Sequence, residues 1–217
     1  MSFAKSLLKL KVNERSAVAI MGYNSPEWAI GFVGGILHNC VVTGIYSTNA
    51  EDACMYQVEH SEAEVILVEN NEYLARFNLE KLPRIKAVVI WGESNLASNV
   101  KDSRVLLWKD FIKLGQDIKD EIVYEKVSRQ KPGECSTLIY TSGTTGMPKG
   151  CMLSHDNLCW ESIPLMEGIS FSDPTYPVTA HRVVSYLPLS HIAGLTADIM
   201  SHIYNGHELY FARPDAL

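Results

Sequence analysis

The sequence predicts an α/β fold with a largely parallel sheet flanked by helices, and three observations carry that prediction. Short apolar runs recur along the chain, segments of helical spacing alternate with them, and the runs are continuous and bounded by polar residues, as in strands buried on both faces. With 217 residues and 47% hydrophobic content, the chain can bury the core of one large domain or two small ones.

The first unit is "SAVAIMG", a strand-like run, followed by "NSPEW". There Asn24 or Ser25 would cap a helix, with Pro26 in its first turn and Glu27 near its positive end. "CVVTGIY" repeats the strand signal. "STNAEDACMYQVEHSEA" follows as a helix with Ala50, Ala53, Cys54, Gln57 and Val58 on one face. "EVILVE" and "KAVVIWG" read as two more buried strands. Between Gly92 and Gly133 the pattern loosens and the strand order is unreadable, although Leu107, Trp108, Phe111, Ile112 and Gly115 keep helical spacing. "STLIYTSG" restores the strand and leads into a turn rich in glycine, serine and threonine. "SHDNLCWESIPLM" then opens a helix with Ser154 as its cap, "RVVSYLPLS" gives a strand, "HIAGLTADIMSHIY" a helix and "HELYFA" a last strand. There is no internal repeat and no low-complexity tract.

Composition excludes several classes of function. Twenty-five carboxylates against 19 lysines and arginines give a formal net charge of -6 with no basic block, which argues against a nucleic-acid groove. The five cysteines form no CxxC pair and read as reduced thiols of an intracellular protein, each a small buried hydrophobe. The N-terminus lacks the apolar core and cleavage site of a secretory signal. Trp28 to Ala50 carries no charge, but seven interspersed glycine, histidine and asparagine residues split it into a short apolar helix and a strand, against a membrane span.

The turn in "YTSGTTGMPKG", Tyr140 to Gly150, can aim several backbone N–H groups and hydroxyls at one anion, with Lys149 adding a mobile charge. An ordinary flexible loop is the competing reading. It is not a P-loop, because Met147 and Pro148 follow Gly146 where that motif needs lysine and then serine or threonine, and it is not GxGxxG.

All eleven residues resemble the phosphate-binding signature of the adenylate-forming superfamily, which includes acyl-CoA synthetases, luciferases and peptide-synthetase adenylation domains. The flanks "CMLSHDNLCW", "VVSYLPLSHIAG" and "GYNSPEW…GIYSTNAEDACMYQVEHSEAEVILVEN" resemble long-chain fatty acid CoA ligases, most closely the bubblegum type, over nearly the whole chain. The resemblance implies part of the large N-terminal domain of that fold, spanning residues 1–217. It implies ATP, Mg²⁺ and CoA as cofactor and co-substrates. A fatty acid carboxylate would attack the α-phosphate of ATP, and CoA thiolate would then attack the acyl-adenylate.

On that resemblance Thr141, Ser142, Gly143, Thr144, Thr145, Gly146 and Lys149 take the phosphate-binding positions. Met147 and Pro148 lie inside the same nucleotide-contacting segment and contribute shape. Lys149 offsets phosphate charge. His191 would position the carboxylate and Gly194 would leave room for the acyl chain. Taken alone, His191 reads as a satisfied polar residue at a strand end. Ser190 lacks the GxSxG elbow of a hydrolase nucleophile. His202, His207 and Glu208 do not have HExxH spacing, and a solvated helix end is the simpler reading. Trp28 and the "LLWKDF" aromatics read as core.

The downstream family motifs for Mg²⁺, the ribose and the mobile C-terminal domain do not occur in these 217 residues. The expectation is a partial N-terminal-domain segment, impaired or inactive alone, with a cytoplasmic location and peripheral contact with endoplasmic reticulum or other membranes left open. A non-catalytic module pairing with a full-length synthetase, or a nucleotide hydrolase of another class, are the alternatives.

Overall fold

The computed structural model describes residues 1–141, 147–172 and 182–213. The chain begins with α1 (Ser2–Lys9), then β1 (Ala17–Met21), α2 (Pro26–Leu37), β2 (Val41–Ile45), α3 (Glu51–His60), β3 (Ala63–Val68), the single turn α4 (Asn71–Leu74) and β4 (Ala87–Ile90). It continues through β5 (Val105–Leu107), α5 (Trp108–Phe111), α6 (Asp120–Arg129), β6 (Cys135–Thr141), β7 (Lys149–Ser154) and α7 (His155–Ser172). After β8 (Arg182–Ser185), the chain forms α8 (Ile192–Gly194), a π-helical turn (Leu195–Met200) and α9 (Ser201–Asn205), and ends with β9 (Glu208–Phe211).

Seven strands form one sheet in the order β5-β4-β3-β1-β2-β6-β7, parallel except for the antiparallel β6–β7 pair. β8 and β9 form a second, parallel pair. Side chains alternate along each strand, so one run serves two cores. Val18 and Ile20 of β1 join Val42, Val65, Leu67 and Val89 on the face covered by α1 and α2. Ala17, Ala19 and Met21 join Ile66, Val68, Val88 and Ile90 on the face covered by α3. Burial on both faces is why β1 to β4 read as unbroken apolar runs.

Local chemistry sets the helix starts. Ser25 caps α2, its hydroxyl accepting from Trp28 N at 3.1 Å, with Pro26 at the first helical position. Ser154 caps α7 reciprocally: Asn157 N donates to Ser154 Oγ (3.1 Å), and Ser154 N to Asn157 Oδ1 (3.0 Å). Cys54, Gln57 and Val58 are the buried face of α3, while Ala50 is exposed.

The uncharged Trp28 to Ala50 stretch is α2 plus β2. α2 lies close on the sheet because glycines face it, a Cβ on Gly35 standing 2.7 Å from Val42 Cγ2 and one on Gly31 closer still to Leu67 Cδ2; Gly34 gives the same close approach to α1, where a Cβ would stand 2.7 Å from the Phe3 ring. Among the described residues no helix is long and apolar enough to cross a membrane.

Three expectations need correction. The loosened stretch after Gly92 holds an edge strand, β5, and "LLWKDFIKLG" is the end of that strand followed by α5. A strand of three residues is too short to carry a periodic signal. The phosphate-motif turn leads into β7 before any helix. Of the cysteines, Cys40, Cys54 and Cys135 are buried, whereas Cys151 and Cys159 are exposed on β7 and α7; all five are free thiols.

Candidate functional site

β6 lies beside β2 through parallel pairing, Val42 with Thr137 and Thr43 with Leu138. Two threonine hydroxyls reinforce the seam, Thr137 Oγ1 donating to Val42 O at 2.6 Å and Thr43 Oγ1 to Leu138 O at 3.0 Å. The parallel alignment brings the chain after Thr141 out at the same sheet edge as the segments after β1 and β2. Ligands of open α/β sheets gather at that carboxyl edge.

A cleft of about 230 Å³ lies there. Its walls are Gly22, Tyr23 and Asn24 after β1, Tyr46, Ser47 and Thr48 after β2, and Ser185, Tyr186, Pro188, Ser190, Ala212 and Arg213 from the second strand pair. Gly22 has φ +157°, and a Cβ there would stand 2.5 Å from the Trp91 ring, so only glycine opens the cleft at this turn.

Asn24 fixes the two sheets to each other. Its Nδ2 donates to Ser185 Oγ (2.8 Å) and Leu187 O (2.7 Å), while its Oδ1 accepts from Leu189 N (3.1 Å). The segment thus held, "LPLS", continues into Ser190, which is buried over β2: a Cβ on Gly44 would stand 2.5 Å from Ser190 Cα. Burial pushes the Asp198 carboxyl up, partly offset by a hydrogen bond from Ser185, so Asn24, Ser185 and Asp198 form one polar chain beneath the cleft. Asp198 lies on the π-helical turn, a widening that recurs at functional sites.

Each expected site residue can now be placed. Thr141 and Lys149 are directly paired across the β6–β7 hairpin, both exposed, at the base of the turn. Ser142, Gly143, Thr144, Thr145 and Gly146 lie outside the described residues. Met147 is exposed and Pro148 half-buried. Helix α7 begins beyond β7, and Ser154 pairs with Cys135 at the opposite end of β6 from the turn. The start of α7 therefore lies away from Thr141 and Lys149, so no helix N-terminus follows them directly, unlike a P-loop.

His191 is exposed and caps α8, its Nδ1 accepting from Ala193 N at 3.1 Å. That bond places the proton of the neutral ring on Nε2, leaving a donor available to a ligand. Gly194 is buried, and the room that a Cβ would need is filled by Pro188 O at 2.5 Å and Leu187 O at 2.8 Å. β2 relates the two motifs: the hairpin pairs along one side of it, and Ser190 covers its Gly44. His202 is 7% exposed and packs edge-on against His207, ring centroids 5.5 Å apart, while Ile203, Tyr204 and Glu208 around them are exposed, so His202 alone turns inward from a largely solvated helix end. Among the described residues no three His, Cys, Asp or Glu side chains gather as a metal site.

Sequence reading missed Asn24 as a clamp, because a cap and a clamp draw on the same residue types. It also missed Tyr46–Thr48 and Arg213 as cleft walls. Their position directly after strands β2 and β9 was the available signal.

A parallel sheet with a glycine- and threonine-rich hairpin turn at its carboxyl edge defines the class: the model of the AMP-binding enzyme family matches residues 1–217, and the chain belongs to that family. Within it, long-chain-fatty-acid–CoA ligase ACSBG2 of Gallus gallus is 44% identical over 219 residues, covering 99% of this chain and 28% of that protein. ACSBG1 of Rattus norvegicus is 41% identical over 217 residues, covering 99% and 29%. The chain thus spans under a third of the length of these curated relatives. Among solved structures, the anthranilate CoA ligase AuaEII in complex with anthranoyl-AMP superposes with a TM-score of 0.79 at 20% identity, covering 99% of this chain and 38% of that one. A red-emitting luciferase from Phrixothrix hirtus superposes at 0.72 with 17% identity, covering 97% and 38%. At these identities the likeness establishes the fold.

Proposed function

We propose that this chain is the phosphate-binding segment of the large N-terminal domain of a long-chain fatty acid–CoA ligase. The observation that carries the reading is the Thr141–Lys149 hairpin base at the carboxyl edge of the sheet, within a chain 44% identical to a long-chain-fatty-acid–CoA ligase.

A fatty acid carboxylate is a poor electrophile, and adenylation gives its carbonyl a good leaving group. The carboxylate attacks the α-phosphate of ATP and pyrophosphate departs; CoA thiolate then attacks the acyl carbonyl and releases AMP. In this scheme Thr141, Ser142, Thr144 and Thr145 donate hydroxyls to the β- and γ-phosphates. Gly143 and Gly146 let the backbone approach, and Lys149 offsets the charge that gathers on the departing pyrophosphate. His191 Nε2–H donates to the carboxylate and holds it for attack. Gly194 keeps α8 tight against the Leu187 and Pro188 carbonyls, which fixes the direction in which His191 points. The described residues offer no acidic set that fits Mg²⁺, so no step is routed through the ion.

Exchange of labelled pyrophosphate into ATP, dependent on added long-chain fatty acid, tests the reading. This chain alone is expected at background. A chimera in which it replaces the matching segment of the Gallus gallus relative is expected to exchange, and to lose at least about a hundredfold on Lys149→Ala. A folded chimera without exchange would remove the reading.

A further inference from the structure

The turn after β2, which supplies Tyr46, Ser47 and Thr48 to the cleft, is held by a side chain that lines no part of that cleft. Asn49 N donates to Tyr46 O at 3.0 Å and closes the turn. The carbonyls of Ser47 and Asn49 are left over, and no backbone N–H among the described residues donates to either. Arg76, two residues past α4, takes both: its Nη1 donates to Ser47 O at 2.7 Å and to Asn49 O at 2.5 Å. The guanidinium is itself fixed. It lies over the ring of the buried Tyr73, 5.1 Å from the centroid, and its Nη2 reaches Glu72 at 3.4 Å. Glu72 is exposed, so this ion pair adds little and the two carbonyls are the partners that matter. A hydrogen bond between the Tyr73 and Ser47 side chains ties the same turn a third time. Bonds from a charged donor hold a backbone more firmly than neutral ones, so the turn's shape depends chiefly on Arg76.

We propose that Arg76 is a positioning residue for the fatty acid, setting from outside the cleft the wall that faces the acid's carboxylate end. The proposal rests on the ligase reading, in which His191 holds that carboxylate. Ser190, the residue before His191, lines the same cleft as Ser47 and Thr48, and it rests on Gly44 of β2, two positions before Tyr46. A shift of the turn therefore moves the wall beside the bound acid. The triphosphate is held by a different segment, the turn after β6. Loss of Arg76 thus weakens the acid in ground and transition states alike, which raises its KM and spares the maximal rate.

The test uses the chimera described above and follows pyrophosphate exchange while fatty acid and ATP are varied in turn. Arg76→Met keeps the apolar stem and removes the donors. KM for the fatty acid is expected to rise about fivefold or more, with the maximal rate and KM for ATP within about twofold. Both bonds leave one nitrogen, so the ammonium of Arg76→Lys can still donate to both carbonyls and should restore most of the loss. An unchanged fatty acid KM in Arg76→Met, an equal rise in KM for ATP, or Arg76→Lys behaving as Arg76→Met would overturn the proposal. If Arg76→Met does not fold, Arg76→Gln, neutral and shorter, is compared with Arg76→Lys in the same way. A folded chimera that does not exchange with Arg76 in place would remove the ligase reading and this proposal together. Exchange with a fatty acid KM indifferent to Arg76 would remove this proposal alone.

Discussion

At Tyr140, one side chain joins three parts of the molecule. Its ring lies over Gly150 across the hairpin, where a Cβ would stand 3.4 Å away, and its hydroxyl reaches His60 Nδ1 at 2.8 Å at the end of α3. Burial pushes the phenol up to about 12, so it stays protonated at any working pH. Tyr140→Phe keeps the ring and loses the hydroxyl bond; a loss of about 1 kcal/mol in urea unfolding is expected, and an unchanged midpoint would contradict this role. His38 gives the pH dependence. It is 1% exposed, and burial holds it down at about 4 against an ordinary 6.5. Above pH 6.5 both folded and unfolded forms are mostly neutral and protonation takes no stability. As pH falls toward 4 the unfolded ring takes up a proton that the native ring refuses, and about 3 kcal/mol of stability should drain away before levelling off. His38→Leu is expected to flatten that part of a stability-against-pH curve. Neither role was legible in the sequence, where Tyr140 read as the end of a strand and His38 as a break in an apolar run. Each depends on a partner brought in by the fold.

At the level of elements, continuous apolar runs gave strands β1 to β4 and the Ser25–Pro26 pair gave the start of α2, because those signals are local. β7 escaped because three of its six residues are not apolar and it lies on the edge of the sheet, where burial imposes no strict alternation. Its presence puts the start of α7 beside Cys135, at the opposite end of β6 from Thr141 and Lys149. Close packing of α2 is the second element-scale feature that the sequence concealed: its glycines read as arguments against a membrane span, whereas the sheet needs Gly31 and Gly35 for close approach. Gly35→Val should crowd Val42 and cost about 1–3 kcal/mol in denaturant unfolding. A neutral result would mean that α2 is free to ride outward.

For the whole molecule, the α/β class and the phosphate motif were readable because they depend on order along the chain. The relation between the two sheets was not, because it rests on Asn24 meeting Ser185, Leu187 and Leu189 more than 160 positions away. Asn24→Ala should loosen β8 and β9 while leaving β1 to β4 intact. Amide exchange is expected to speed up about tenfold or more at Val183–Ser185 and Leu209–Phe211, with protection unchanged at Val18–Met21. Uniform loss across both sheets would argue against a local clamp. The central claim, that the hairpin turn holds phosphate, is tested most directly by titrating ATP and AMP against this chain and its Lys149→Ala variant at low salt. The account predicts ATP binding about tenfold or more tighter than AMP in the unmodified chain, with that advantage gone in the variant. ATP and AMP binding alike, or an ATP preference that survives Lys149→Ala, would contradict it.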